Sequence, residues 1–449
     1  MKHEMMKPSG VAWLGDIPST WDCKKIGSLF NQRNTKVSDK DYPALSVSKA
    51  GVTPQLETAV KTDDGDNRKL VKTGDFVINS RSDRKGSCGV SSLDGSVSLI
   101  NIVLTPRQEW NRKYVHYLMR SQTFSEEYYH YGRGIVADLW TTRYSEMKNI
   151  CIPVPPREEQ DQIVRYLDWQ VSKINKLIAA KKKEINSINE KLLTSTNELV
   201  TRGIGHNRSY IKTNMDWAQY IPDNWVTSRI RNHFEILKRI AGSEGYDVFS
   251  VTQQGLKVRD TKLFEGQLAS DYSGYQFVYP GEFAMNHMDL LTGGIGIADH
   301  LGVTSPDYRV FKLFDNEHCF APYFLKVFQI CYRRHAFYRF GRGAANVGRW
   351  RLPATAFKNF EIPLPPYSEQ VEIFSAVEEE EKKTKAAINL LERQISILEE
   401  LKKRLISDVV TGQIDVRGVE IPEYEYVEDI SDDSENVENK EEIEEQEIE

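Results

Sequence analysis

Two stretches of the chain, Arg157 to Arg202 and Tyr367 to Thr411, contain neither glycine nor proline. In the first, apolar residues recur at Ile163, Leu167, Ile174, Leu177, Ile185, Ile188, Leu192 and Leu199; in the second, at Ile373, Val377, Ile388, Leu391, Ile395, Leu398, Leu405 and Val409. Most steps alternate threes and fours, which predicts two long amphipathic helices with a coiled-coil seam. At 1.5 Å per residue each would run about 65 to 70 Å. Pro155-Pro156 and Pro365-Pro366 stand just before them, acids such as Glu158, Glu159 and Glu369 fill the first turns, and Gly203 and Gly412 follow the ends. Lone helices of this length would expose their stripes, so the expected solution is that they pack on each other. The competing arrangement packs each on its own domain.

The segments before each helix read differently. Short strands are predicted at Ala44 to Val47, Phe76 to Asn79 and Ser98 to Leu104, then a helix from Arg112 to Phe124. After the first long helix the order recurs: strands at Val248 to Val251, Glu282 to Asn286 and Tyr308 to Leu313, then a helix from Pro322 to His335. The fold class expected is α+β, with two pseudo-repeated domains and two long helices forming an antiparallel coiled coil.

The recurrence is a duplication. Ile17-Pro18-Ser19-Thr20-Trp21 matches Ile221-Pro222-Asp223-Asn224-Trp225, and Tyr42, Ser46, Val47 and Gly51 match Tyr246, Ser250, Val251 and Gly255. Gly74-Asp75-Phe76 matches Gly281-Glu282-Phe283, and Tyr131-Gly132-Arg133-Gly134 matches Phe340-Gly341-Arg342-Gly343. Lys148 to Pro156 matches Lys358 to Pro366, and Glu159-Gln160 matches Glu369-Gln370. Collinear blocks of this kind exclude chance. The domain reading is 1–155, a long helix over 156–205, a second domain over 206–365, a second helix over 366–418 and an acidic tail over 419–449.

Matched positions are mainly apolar, Gly or Pro; the loops between them differ and carry basic and amide side chains. Variable loops on a repeated frame suggest two ligand specificities. Candidate DNA-contacting residues are Lys49, Arg81, Arg84, Lys85, Arg133 and Arg143 in the first copy. In the second they are Gln253, Gln254, Asn286, His287, Arg339, Arg342, Arg349 and Arg351. Arginine grips phosphate or guanine edges, and asparagine or glutamine suits adenine. Any single arginine can equally be a surface ion pair or a phosphate contact. Trp140 and Trp350 read as core packing, and His287 and His300 as structural or DNA-facing.

Composition alters this picture little until charge is partitioned. The 449 residues predict about three domains, and 40% hydrophobic with 28% charged is ordinary for a globular chain. No run suits a membrane span or secretory signal, so a cytoplasmic location is expected. Five scattered cysteines without C-x-x-C spacing read as reduced thiols, and no metal site is expected. Residues 420–449 hold 15 acids and one lysine; removing that −14 from the net −6 leaves +8 for the rest. A basic body fits a polyanionic partner. The tail reads as disordered, either as a solubilising tail or as a nucleic-acid mimic.

No P-loop, H-E-x-x-H or G-x-S-x-G occurs, Gly293-Gly294-Ile295-Gly296 reads as a turn, and Pro365-Pro366-Tyr367 as a helix start. No catalytic constellation is visible. The order of domain, I-P-x-P-P-x-x-E-Q and long helix, written twice (Ile152 to Gln160, Ile362 to Gln370), resembles the DNA-specificity subunit of type I restriction-modification enzymes. The resemblance covers residues 11 to 418. It implies two target-recognition domains, each reading one half of a split asymmetric site in double-stranded DNA, with the helices as spacer and docking element. It implies further that the subunit is not an enzyme and binds no cofactor itself. The resemblance also implies two modification subunits that use S-adenosylmethionine, and restriction/translocase subunits that use ATP and Mg. A coiled-coil scaffold without base readout is the alternative; a nuclease or methyltransferase would need a site that the sequence does not display.

Overall fold

The computed structural model describes residues 3–56, 65–81, 84–134, 140–205, 208–259, 271–343 and 350–428. The chain divides into two compact units: Met1–Lys182 with Glu392–Glu449, and Lys183–Leu391.

Both units mix helix and strand. In unit 1 a four-stranded antiparallel sheet has the order Cys88–Val90, Phe76–Asn79, Asn101–Pro106, Phe30–Gln32. Its register places Phe76 opposite Leu104 and Ile78 opposite Ile102. One face of these strands packs with Trp21, Tyr114, Phe124 and Tyr128, all buried, as the main core. In unit 2 the matching sheet has the order Phe234–Leu237, Arg309–Leu313, Phe283–Met285, Ile295–Ile297. Its core is dominated by Trp225, Phe234, Phe283, Phe311, Phe324 and Phe328. Full burial of each such ring is worth about 1.5–3 kcal/mol.

Most predicted strands stand within a few residues of where the pattern put them. One helix does not. Arg112 to Phe124 is two helices, Arg112–Arg120 and Gln122–His130, broken at Ser121. The Ser121 hydroxyl donates to the Leu118 carbonyl and accepts from the Phe124 amide, closing one helix and opening the next. In the second copy the helix Ala321–Arg333 is continuous.

The two long helices are Arg157–Arg202, 46 residues, and Tyr367–Val410, 44 residues. Each is divided between the units: the first begins in unit 1 and ends in unit 2, and the second does the reverse. The expected apolar stripe is buried where it enters the domain cores, Ile163 and Leu167 in unit 1 and Ile373 and Val377 in unit 2, and is half-buried at Ile185, Ile188, Leu192, Ile388 and Ile395. Leu177 is an exception at 46% exposed, its place taken by buried Ile178. Asn175 accepts from Lys402 at 3.2 Å in unit 1, and Ser195 donates to Glu380 at 2.6 Å in unit 2.

The helix ends are fastened alike. The Tyr114 hydroxyl donates to the Val410 carbonyl at 3.3 Å, and the Tyr323 hydroxyl to the Val200 carbonyl at 3.1 Å. Gly412 and Gly203 follow at φ 78° and 74°. A Cβ on Gly412 would lie 2.4 Å from Pro18, and one on Gly203 2.6 Å from Glu369, so both positions require glycine twice over.

At the helix starts, the repeated glutamine is an anchor. Gln160 accepts the Asn111 amide at 3.0 Å and donates to the Pro155 carbonyl at 3.0 Å; Gln370 accepts the Phe320 amide at 2.8 Å and donates to the Pro365 carbonyl at 2.9 Å. The strand just before each helix is pinned in the same register: Asp22 faces Val154 through Lys25 facing Cys151, and Val226 faces Leu364 through Arg229 facing Glu361.

Residues 420–428, the start of the acidic tail, carry no helix or strand, and Val427 exchanges hydrogen bonds with Ser172 and Asn175. The remainder of the tail lies outside the described residues. No helix among the described residues is long and apolar enough to cross a membrane, and all five cysteines are free thiols.

Candidate nucleic-acid interface

Strand Phe76–Asn79 in unit 1 runs straight into a basic loop. Asn79 is buried and its side-chain oxygen accepts the Arg81 amide at 3.0 Å, turning the chain as it leaves the sheet. The Thr142 amide donates to the Ser80 carbonyl at 2.9 Å. Thr141 pairs with both Arg81 and Arg133 through isolated bridges. Three separate stretches therefore meet at Thr141 and Thr142. The seat is held from beneath, where the Thr142 hydroxyl donates to the Tyr128 carbonyl at 3.1 Å and the Tyr128 hydroxyl donates back to the Thr142 carbonyl at 3.2 Å.

On this frame Arg81, Arg84, Lys85, Arg133 and Arg143 are exposed. Lys85 stands 5.5 Å over the Tyr129 ring, whose hydroxyl donates to the Arg84 carbonyl at 3.3 Å and accepts the Gly86 amide at 3.2 Å. Glu146 is held below the usual carboxylate range, first by its Ser145 hydrogen bond and also by the field of Arg133 and Arg143. Among the described residues, Arg81, Lys85, Arg133 and Arg143 make no ion pair within 4.0 Å. Cations exposed in this way suit contact with phosphates and groove edges. Lys49 is exposed but stands on a different hairpin, Leu45–Ser48 with Gly51–Pro54, where its carbonyl accepts from Arg120.

Unit 2 repeats the frame with other side chains. The Leu352 amide donates to the His287 carbonyl at 2.9 Å, as Thr142 does to Ser80. Arg342 and Arg351 pair reciprocally through their backbones at 2.8 and 3.0 Å, as Arg133 and Thr141 do in unit 1, leaving both arginines exposed. Arg349 lies outside the described residues. Arg339 differs: it is ion-paired with Asp216 and stacks at 5.1 Å over Phe340, so its charge already has a partner. Asn286 is also engaged locally, its side-chain oxygen accepting the Met288 amide at 3.2 Å and its carbonyl accepting the Tyr332 hydroxyl at 2.7 Å.

His287 is partly buried with Nδ1 unpartnered among the described residues. Burial, together with the charges of Arg309 and Arg351, pushes its imidazole down to about 4, so it is neutral at pH 7. Arg309 was not foreseen from sequence. It is 5% exposed, donates to the Leu352 carbonyl at 2.8 Å and stands 4.9 Å over the Phe357 ring. Its strand position reads as core, and only the fold brings it beneath the loop. His300 is ion-paired with Asp299 and Asp247 and packs on Phe249, a structural setting.

Gln253 and Gln254 tip the hairpin Asp247–Thr252 with Gly255–Val258, both exposed. This hairpin sits on the glycine run expected to be a turn, of which Ile295–Ile297 is instead a strand. A Cβ on Gly294 would lie 2.1 Å from the Thr252 carbonyl oxygen and one on Gly296 2.5 Å from the Leu256 amide, so the glycines are a seat for close backbone approach. Gln253 thereby lines a small recess with Gln329 and Arg333, two further residues that spacing in the sequence did not reveal. The tryptophans divide. Trp350 packs against the core and its indole N–H donates to the Tyr338 carbonyl at 2.7 Å, whereas Trp140 is 39% exposed rather than buried.

Residues 18–187 match the type I restriction modification DNA specificity domain. Over 453 residues the chain is 22% identical to a putative type I restriction enzyme specificity subunit, MjaX, of Methanocaldococcus jannaschii, covering 93% of this chain and 98% of that one. A chain from structural work on complex assembly and conformational transition of the type I R-M system shares its fold, with TM-score 0.62 at 13% identity over 89% of this chain and 99% of that chain. The HsdS subunit from Thermoanaerobacter tengcongensis aligns with TM-score 0.43 at 14% identity over 89% and 98%. With a matched specificity domain over residues 18–187, a specificity-subunit relative aligned along nearly its whole length and a shared fold, the chain is similar to the DNA-specificity subunits of type I restriction-modification systems.

Proposed function

We propose that each unit reads one half of a bipartite, asymmetric site in double-stranded DNA, and that the chain supplies recognition to a type I complex whose catalysis resides in its partners. The observation that carries this reading is the shared backbone frame, Thr142 to Ser80 and Leu352 to His287, bearing different exposed side chains in the two units. A common frame with unlike loops suits two unlike sequences joined in one protein.

The long helices are proposed to pair antiparallel and act as spacer. In unit 1 the bonds Asn175 to Lys402 and Lys181 to Gln394 run in opposite chain directions, which supports that pairing. On the second helix Leu390, Ile397 and Leu401 are each more than half exposed, and an apolar row of this kind suits docking of the modification subunits. S-adenosylmethionine, ATP and Mg belong in this reading to the modification and restriction/translocase subunits.

Co-expression with modification subunits, followed by mapping of methylated positions in host DNA, tests the proposal. A split, asymmetric methylated sequence is expected. Removing one heptad from each long helix is expected to change the gap while leaving both half-sites intact. A stable complex that methylates no defined sequence would favour a protein-binding scaffold.

A further inference from the structure

Unit 2 contains a cluster of metal-ligating side chains with no counterpart among the described residues of unit 1. His233 follows a single turn of 3-10 helix, Ile230–Asn232, and leads into strand Phe234–Leu237. Asp315, His318 and Cys319 fill the connection between strand Arg309–Leu313 and helix Ala321–Arg333. Phe234 faces Leu313 in the sheet and the Phe314 amide donates to the His233 carbonyl at 3.0 Å, which fixes the two stretches together.

The ligand atoms of His233, Asp315 and Cys319 lie within 4.8 Å of one another. His233 Nδ1 is 2.7 Å from Asp315 Oδ2, Cys319 Sγ is 4.0 Å from the same oxygen, and His318 Nδ1 is 2.9 Å from Asp315 Oδ1. His233 and Cys319 are buried, Asp315 partly so, and the His318 side chain is exposed at the edge. The second ring nitrogen of His233 is 2.8 Å from Ser228 Oγ, an outer contact that sets the ring and turns Nδ1 to the cluster.

We propose that His233, Asp315, His318 and Cys319 form a structural zinc site. Two imidazoles, a carboxylate and a thiolate are a donor set that zinc accepts in closed tetrahedral coordination. With metal–ligand distances of about 2.0–2.3 Å, donor atoms around such an ion stand roughly 3.3–3.7 Å apart. His233, Asp315 and Cys319 already face one centre, with 2.7 and 4.0 Å separations to Asp315 Oδ2, and His318, which bonds the other carboxylate oxygen at 2.9 Å, turns inward from its exposed position to close the site. The ion binds Nδ1 of neutral His233, whose one ring proton sits on Nε2 toward Ser228 Oγ, and displaces the Cys319 thiol proton, which is released to solvent. In unit 1 the position matching His233 is Leu29, and the stretch Pro106 to Trp110 holds neither histidine nor cysteine.

The site has a structural task. Gln370 donates to the His318 carbonyl at 2.7 Å and accepts the Phe320 amide at 2.8 Å, so the connection that would hold the ion also holds the start of the second long helix. Zinc fastens this anchor in unit 2, where unit 1 relies on Gln160 and Asn111.

The test loads the full chain with zinc, removes excess metal and measures content by mass spectrometry. Cobalt(II) loading then provides a thiolate-to-metal absorption band. One zinc per chain and a cobalt band are expected, with both lost in Cys319→Ser and retained in Cys151→Ser. His318→Ala, altered at an exposed position, is expected to fold and bind zinc at least about tenfold more weakly. A chelator is expected to lower the melting temperature of the wild-type chain. Overturning results are no retained zinc in the wild-type chain, a cobalt band that survives Cys319→Ser, or unchanged zinc affinity in His318→Ala.

Discussion

Unit 1 and unit 2 solve one problem with different chemistry, most plainly where the long helices begin. In unit 2 the buried Glu369 carboxylate accepts the Trp225 indole N–H at 2.9 Å and pairs with Arg208. In unit 1 Glu159 is equally buried, yet its nearest cation, Arg417, is 4.0 Å away, and the Trp21 indole N–H has no partner among the described residues. The repeat preserved the residues but not the network. Framework identity across a duplication therefore does not imply equal energetics, because a buried polar group is worth only what its partners make of it.

The largest expected effect tests that difference. Glu369→Ala strands a buried indole and a cation and should cost about 3 kcal/mol, whereas Glu159→Ala should cost about 1 kcal/mol or less. Chemical denaturation of the full chain measures both, and equal losses would erase the contrast. Next come the helix ends, where the units should behave alike. Gly412→Ala and Gly203→Ala each impose a left-handed backbone on alanine and a close contact, and each should cost about 1–3 kcal/mol.

For DNA binding by the assembled complex, Arg81→Ala, Arg84→Ala and Arg342→Ala are each expected to reduce affinity by about tenfold and lower the salt slope by about one, leaving subunit assembly intact. Arg339→Ala should change binding little, since its charge is paired with Asp216. Filter binding across a salt series distinguishes these outcomes. The smallest effect concerns His287. Its folded state resists protonation down to about 4, whereas the unfolded chain takes up the proton near 6.5. The stability this supplies is present above pH 6.5 and lost as pH falls toward 4. His287→Gln should therefore lose less stability than the wild type between pH 6.5 and 4, the other histidines cancelling in the comparison.

Much of the fold was legible because it depends on local pattern. The helix-period stripe located both long helices and the collinear blocks marked the repeat, whereas the pairing that returns Thr142 to Ser80 and Leu352 to His287 falls between those blocks and came only from the structure. Ser121 was missed because a serine inside an apolar pattern does not announce that its hydroxyl ends one helix and caps another. For the candidate site, what was legible is exposure: Arg81, Arg84, Lys85, Arg133 and Arg143 stand exposed on their loops. Arg339 and Asn286 show the limit, since Asp216 and Tyr332, which engage them, are distant in sequence or carry no motif. The same holds for His233, 82 residues from Asp315. Side-chain partnership across that separation is fixed by sheet register, which no local spacing reports.

Unit 1 needs the far end of the chain. Val409, Val410 and Val416 belong to the core that contains Trp21 and Phe30, and Gln413 donates to the Asp16 carbonyl at 2.8 Å. During synthesis, Lys182 leaves the ribosome roughly 200 residues before Glu392, a delay of about 10–40 s at ordinary elongation rates. Through that interval the nascent first unit holds an unfilled apolar socket, while the contiguous second unit has all its residues first. The domain translated first is completed last.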